Sequence, residues 1–353
     1  MDIRTLIKEE VLAQRAYGVE SAAFPVKLDA NENPLAMPEE LRGCFSAALA
    51  SIPLNRYPDA GSPALAARFA QAFGVGRDQV MIGSGSDELI QMLCTAVARS
   101  GAEAMIPVPT FAMYRISAQN AGLTVAAIPL DGAFDLDLAA MRERVAARPP
   151  ALTFLAWPNN PTGNCFSRER IEAILAEWPG IVVVDEAYFH FSGRTFLPDL
   201  NRHENLVILR TLSKVGFAAM RVGFLIGPPA LVHELDKVRL PYNFNAMSQA
   251  AAGFYLDHEE TFLAQAEEIR RWRDELFAEM MTIPGIRPRP TDANFIFFDC
   301  DFAADRVYTR LKERGVLIKN FNAPGTMRNF MRVTVGTREE NRRFIEALKD
   351  IIA

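Results

Sequence analysis

Ile181-Val182-Val183-Val184-Asp185-Glu186-Ala187-Tyr188 is the stretch from which the fold of this chain can be worked out. Four β-branched residues in a row, without polar alternation, describe a strand buried on both faces, as in a parallel sheet covered by helices. A carboxylate closing such a strand is costly unless it meets a positive partner, which makes Asp185 the first candidate functional residue. The same pattern recurs at residues 104–108, 152–157, 206–209 and 222–226, with helically spaced segments between them at 138–146 and 168–177. Strands alternating with helices predict an α/β large domain, its mostly parallel sheet lying between helices.

Beyond residue 250 the pattern changes. Phe262, Ala266, Ile269, the stem of Arg273, Leu276 and Met280 keep the three-to-four spacing of a long amphipathic helix that stops before Pro284-Gly285. Short segments at 294–298, 307–314, 316–318, 331–335 and 339–351 then predict a smaller α+β domain. The expected division is an N-terminal arm with part of the small domain over 1–45, a large domain over 46–250 and a small domain over 251–353.

A chain of 353 residues suits such a pair of domains. Its net charge of -5 gives no general attraction to nucleic acid or anionic membrane, so an anionic ligand needs a local basic pocket. Cys44, Cys94, Cys165 and Cys300 are scattered without metal-ligand spacing and read as reduced thiols. The start carries Asp2, Arg4, Lys8, Glu9 and Glu10, unlike a signal peptide, and no apolar run is long enough to span a bilayer. A cytoplasmic protein is expected.

Four segments carry candidate chemistry. Ile82-Gly83-Ser84-Gly85-Ser86-Asp87 opens a helical run, and the free N–H groups there suit a phosphate, although Ser86 or Asp87 could simply cap the helix. Trp157-Pro158-Asn159-Asn160-Pro161-Thr162-Gly163 is a turn at the carboxyl end of a strand, where open α/β sheets bind ligands. Asp185-Glu186 has metal binding as its rival reading, but no phosphate loop of the Gly-x-x-x-x-Gly-Lys-Ser/Thr type supports it. Leu209-Arg210-Thr211-Leu212-Ser213-Lys214, with Arg221 seven residues on, offers two hydroxyls and a guanidinium to one phosphate. The arginine would also depress the lysine pKa, as Schiff-base chemistry requires.

In this order, the set resembles the fold-type I pyridoxal-phosphate (PLP) enzymes. From about Tyr17 to the C-terminus it resembles the histidinol-phosphate aminotransferase branch. That closer match rests on Lys27-Leu28-Asp29-Ala30-Asn31-Glu32-Asn33-Pro34, Arg56-Tyr57-Pro58-Asp59, Pro109-Thr110-Phe111-Ala112-Met113-Tyr114, Pro241-Tyr242-Asn243-Phe244-Asn245 and the run from Arg332 to Glu340. The resemblance implies that Lys214 holds PLP as a Schiff base and shuttles the substrate proton. It implies that Asp185 keeps the pyridine nitrogen protonated, that Asn160 and Tyr188 bond the ring 3′-oxygen, and that Phe111 stacks on the ring. Ser86, Asp87, Thr211, Ser213 and Arg221 would hold the phosphate, joined by Tyr57 from the partner subunit of a homodimer. Tyr17, Asn33, Lys319 and Arg332 match positions around the substrate.

Three departures stand out. Phe111 replaces a frequent tyrosine, Lys319 a frequent arginine, and the Lys214–Arg221 spacing is one residue shorter than in some members. The implied reaction transfers the amino group of L-histidinol phosphate to 2-oxoglutarate in histidine biosynthesis. An aromatic or broad-specificity aminotransferase of the same branch is the alternative, and a decarboxylase acting on a phosphorylated amino acid is a third reading.

Overall fold

The computed structural model describes every residue except Met1, Arg15, Tyr17, Val19, Ser21 and Ala353. In chain order the strands are β1 (Val26–Lys27), β2 (Val80–Ser84), β3 (Glu103–Val108), β4 (Thr124–Pro129), β5 (Leu152–Ala156), β6 (Ile181–Asp185) and β7 (Leu206–Thr211). Then come β8 (Val222–Ile226), β9 (Ile286–Pro288), β10 (Phe295–Cys300), β11 (Val316–Leu317), β12 (Lys319–Asn320) and β13 (Phe330–Thr334). A seven-stranded sheet takes the order β2-β8-β7-β6-β5-β3-β4. Only β8 runs against its neighbours. β5, β6 and β7 are apolar almost throughout, as both faces of this sheet are covered by helices.

The direction of each strand decides where the candidate residues fall. β2, β3, β4, β5, β6 and β7 all end at one edge of the sheet, and the loop after β7 leads straight into the reversed β8 there, so six loops converge. The order also switches between β3 and β5: β4 lies on one side, β6 and β7 on the other. Ligands of open α/β sheets bind in the crevice at such a switch. Phe111 follows β3 and Asn160 follows β5, one on each side of it.

The small domain holds an antiparallel sheet, β12-β13-β10-β9, and the parallel pair β1-β11. The expected helix is present over Glu259–Met281, although Trp272, rather than the Arg273 stem, supplies the buried group at its fourth turn. Of three buried apolar cores, two meet inside this helix, with Phe262 in the large-domain core and Ala266 in the small-domain one. Residue 250 falls within the helix Ala246–Asp257, whose Ala251, Ala252, Phe254 and Tyr255 belong to the large core. At the other boundary, Leu41 and Phe45 of the helix Glu39–Ala50 also pack on the large core, whereas β1 joins the small domain. A helical stripe repeats in the same way whichever core it faces, so periodicity does not mark the handover.

Candidate active site

The phosphate end of the site is built from main chain. The helix Ser86–Val97 is capped by Gly85 without any side-chain capping bond, so neither Ser86 nor Asp87 acts as the cap. Instead Glu88 Oε2 folds back onto Ser84 N at 2.6 Å. Gly85 has φ 81, and a Cβ there would sit 2.6 Å from Arg221 Nη2; a Cβ on Gly223 would come 2.3 Å from the Gly85 carbonyl carbon. The loop is thus cleared of side chains where the guanidinium approaches. Arg221 has a left-handed backbone (φ 51), uncommon for a residue with a side chain and found where surrounding structure enforces it. Its Nη1 donates to Ser213 Oγ at 3.3 Å, and Thr211 Oγ1 lies 2.9 Å from the same oxygen. Its Nη2 donates to Asp87 Oδ2 at 3.0 Å. The Asp87 carboxylate therefore engages the arginine, and only its backbone N–H could serve an anion. Helix N–H groups, two hydroxyls and a guanidinium together make a phosphate donor set.

Asp185, at the end of β6, is 4% exposed. Its Oδ1 accepts from Ala187 N at 3.0 Å and its Oδ2 from the Tyr114 hydroxyl at 2.7 Å. Burial pushes the carboxyl up to about 6, against the pull of those two donors. Tyr114 is the residue that reading the sequence missed. It was visible only as part of the Phe111–Tyr114 motif, and its partner lies 71 residues away. Phe111 precedes the helix Ala112–Ala121 and meets the Tyr114 ring edge-on at 5.5 Å.

Lys214 sits on a short turn after β7, its Nζ 3.4 Å from Ala30 O and 5.9 Å from the Tyr188 ring centre. Burial, then the nearby Arg332 charge, lowers the amine from 10.5 to about 8. The Tyr188 hydroxyl accepts from Asn31 Nδ2 at 2.8 Å. Asn31, a second residue given no role from sequence, is also tied to Thr334 and so links this tyrosine to the small-domain sheet.

Arg332 is buried and donates to Asn160 Oδ1 and, at 2.6 Å, to Asp29 O. Lys319 is its direct partner across β12 and β13, so both side chains leave the same face of that sheet. Asn33 is committed elsewhere: its Nδ2 donates to Gln265 Oε1 at 3.0 Å and its Oδ1 accepts from Leu35 N. Tyr57 is 79% exposed and stacks on Tyr242 at 4.4 Å, and Tyr17 lies outside the described residues. A buried acid, an aromatic ring, an amine of lowered basicity and an anion cradle converge at one sheet edge. They fit a phosphorylated pyridine aldehyde such as PLP.

Comparison with known proteins agrees with this geometry. The chain is 45% identical over 346 residues to histidinol-phosphate aminotransferase 2 of Nitrosococcus oceani, covering 97% of this chain and 96% of that one. It is 41% identical to histidinol-phosphate aminotransferase of Aquifex aeolicus, with 98% of each chain covered. The fold is shared with the crystal structure of the Sinorhizobium meliloti histidinol-phosphate aminotransferase in complex with pyridoxal-5'-phosphate. There the TM-score is 0.89 at 22% identity, over 98% of this chain and 97% of that one. Residues 25–348 match the family described as aminotransferase class I and II, and the chain belongs to that family.

Proposed function

We propose that this protein is a PLP-dependent aminotransferase that moves the amino group of L-histidinol phosphate to 2-oxoglutarate, yielding imidazole acetol phosphate and L-glutamate in histidine biosynthesis. The observation that carries the reading is Lys214 and Asp185 at one edge of the large sheet, with Arg332 reaching Asn160 at that edge from β13. The names of the relatives at 41–45% identity support the substrate.

Bound PLP supplies an electron sink for the pair released when a proton leaves the amine-bearing carbon. The chain's own residues do the rest. With its basicity lowered to about 8, Lys214 Nζ would be the amine that holds the cofactor and the base that takes and returns that proton. Asp185, as a carboxylate, would hold the ring nitrogen and favour its protonated form. Asn160 and Tyr188 would hold the ring through its 3′-oxygen, and Phe111 would pack against the ring. Ser86, Thr211, Ser213, Arg221 and the Asp87 N–H hold the phosphate. Arg332 and Lys319 receive the substrate anion.

We read the active unit as a homodimer in which Tyr57 reaches the partner's phosphate site. Its exposed ring stacks on Tyr242, and Leu54 and Leu240, three and two residues along the chain from these rings, are exposed too, apolar groups of the kind found at interfaces. A cytoplasmic location accords with four cysteines outside any disulfide. Among the described residues no helix is long and apolar enough to cross a membrane. Purified protein, incubated with 2-oxoglutarate and a panel of donors, tests the function by release of glutamate and carbon dioxide. Glutamate from histidinol phosphate is expected, and carbon dioxide without glutamate would overturn the reading.

A further inference from the structure

We propose that Tyr114 is a positioning residue for the transfer reaction, its phenol holding Asp185 in the orientation and charged form that the cofactor ring nitrogen requires. This rests on the aminotransferase reading above and adds a residue to which nothing so far assigns a role.

Tyr114 is fully buried on the helix Ala112–Ala121. Its ring lies flat on Phe154 (4.8 Å, 6°) and edge-on to Phe111 (5.5 Å, 86°), so the hydroxyl has little freedom to swing. It donates to Asp185 Oδ2 at 2.7 Å while Ala187 N donates to Oδ1, so each carboxylate oxygen is held by its own donor. The charged neighbours acting on Asp185, Asp87 from the start of the helix Ser86–Val97 and Glu186 beside it, are both acids and oppose its ionisation. Against burial and these two acids, the phenol is one of the two hydrogen bonds that favour the anion. The phenol stays protonated, because burial and Asp185 hold Tyr114 well above the usual tyrosine range.

If Tyr114 only filled the space between Phe111 and Phe154, phenylalanine would replace it at no cost. The test is therefore Tyr114→Phe in the PLP-loaded enzyme, made both alone and in an Asp185→Asn background. In the wild-type background, kcat should fall about tenfold or more, the loss of a hydrogen bond to a charged group, with the donor KM within about twofold. The acid limb of the pH profile, and the matching pH-dependent change in the cofactor's visible absorption, should move upward by about one unit. In the Asp185→Asn background the same substitution should change kcat less than about twofold, because the two residues act as a unit.

Incorporating 3-fluorotyrosine at position 114 makes the donor stronger without changing its shape and should move the acid limb the other way. Superimposable pH profiles, or equal losses in both backgrounds, would overturn the proposal. Should no donor be transaminated, the functional reading fails instead, and the absorbance titration of bound PLP still reports on the Tyr114–Asp185 pair.

Discussion

Arg332 Nη1 donates to the side-chain oxygen of Asn160, joining a strand of the small domain to the loop that follows β5 of the large one. Its Nη2 reaches the main-chain oxygen of Asp29, so one buried guanidinium spans β13, the N-terminal strap and the cofactor loop. Both acceptors are neutral. A carboxylate or phosphate makes a stronger partner than either, because charge-assisted bonds are roughly twice as strong as neutral ones. An incoming anion therefore competes well with either of these two contacts for the fork.

The first prediction concerns Lys214. With the amine at about 8, its neutral, nucleophilic fraction grows as pH rises through that value. The rate of PLP attachment to cofactor-free protein should rise over the same window. Arg332→Ala removes a cation whose field depresses the amine, so the profile should shift to higher pH. Borohydride reduction followed by peptide mapping should find the cofactor on Lys214, and an adduct on another lysine would falsify the assignment. Lys214→Ala should still bind PLP, without a covalent link, and turnover should collapse.

A second prediction follows from Asp185. Burial sets its carboxyl at about 6, so it is charged above that pH and neutral below it. PLP affinity should tighten as pH rises through about 6, because only the carboxylate favours a protonated ring nitrogen. Asp185→Asn should flatten this dependence and raise the barrier by several kcal/mol, a size plausible for a charge-assisted contact. Near wild-type turnover in that variant would reduce Asp185 to a strand-terminal residue.

Much of this was legible from local pattern. β6 was placed to the residue, as was the helix Arg168–Glu177, because a run of β-branched residues and a three-to-four repeat need no distant information. β4 was not found: Thr124-Val125-Ala126-Ala127-Ile128 is weakly apolar, and it is a strand because β3 lies beside it. Tyr114 and Asn31 stood inside quoted motifs without a role, since their partners Asp185 and Tyr188 are 71 and 157 residues away. Glu88 gave no capping signal, because its bond to Ser84 N needs the Gly83–Gly85 turn to be folded first. Contacts between segments of distant sequence are set by strand order, which no single window contains.

The third prediction concerns assembly. Tyr57 is strongly exposed and stacked on Tyr242, in a patch expected to be covered by a second copy. Tyr57→Ala subunits and Lys214→Ala subunits should each be impaired as homodimers. Mixed dimers should regain one intact site if Tyr57 serves the partner's cofactor. Verified mixed dimers with no recovered activity would place both residues in one chain's site.

The last prediction concerns which substrate the pocket prefers. Histidinol phosphate brings a phosphate and no carboxylate, whereas glutamate brings two carboxylates, and one pocket must accept each in alternate half-reactions. Arg332 suits both anions because its planar fork pairs with carboxylate and phosphate oxygens alike. Lys319, opposite it on β12, is a compact charge on a flexible stem and can follow the bulkier phosphate without demanding one geometry. Arg332→Ala should therefore impair every anionic partner, by about 10- to 100-fold in kcat/KM for a lost charged hydrogen bond. Lys319→Ala should weaken histidinol phosphate more than phenylalanine, which carries no phosphate. Aromatic rings also flank the guanidinium, with Phe295 at 5.1 Å and Phe321 at 5.4 Å, so a donor with a phenyl ring would not be repelled. The comparison that decides is kcat/KM across histidinol phosphate, phenylalanine and tyrosine with 2-oxoglutarate as acceptor. A wide margin for the aromatic amino acids, together with indifference of histidinol phosphate to Lys319→Ala, would make this an aromatic aminotransferase.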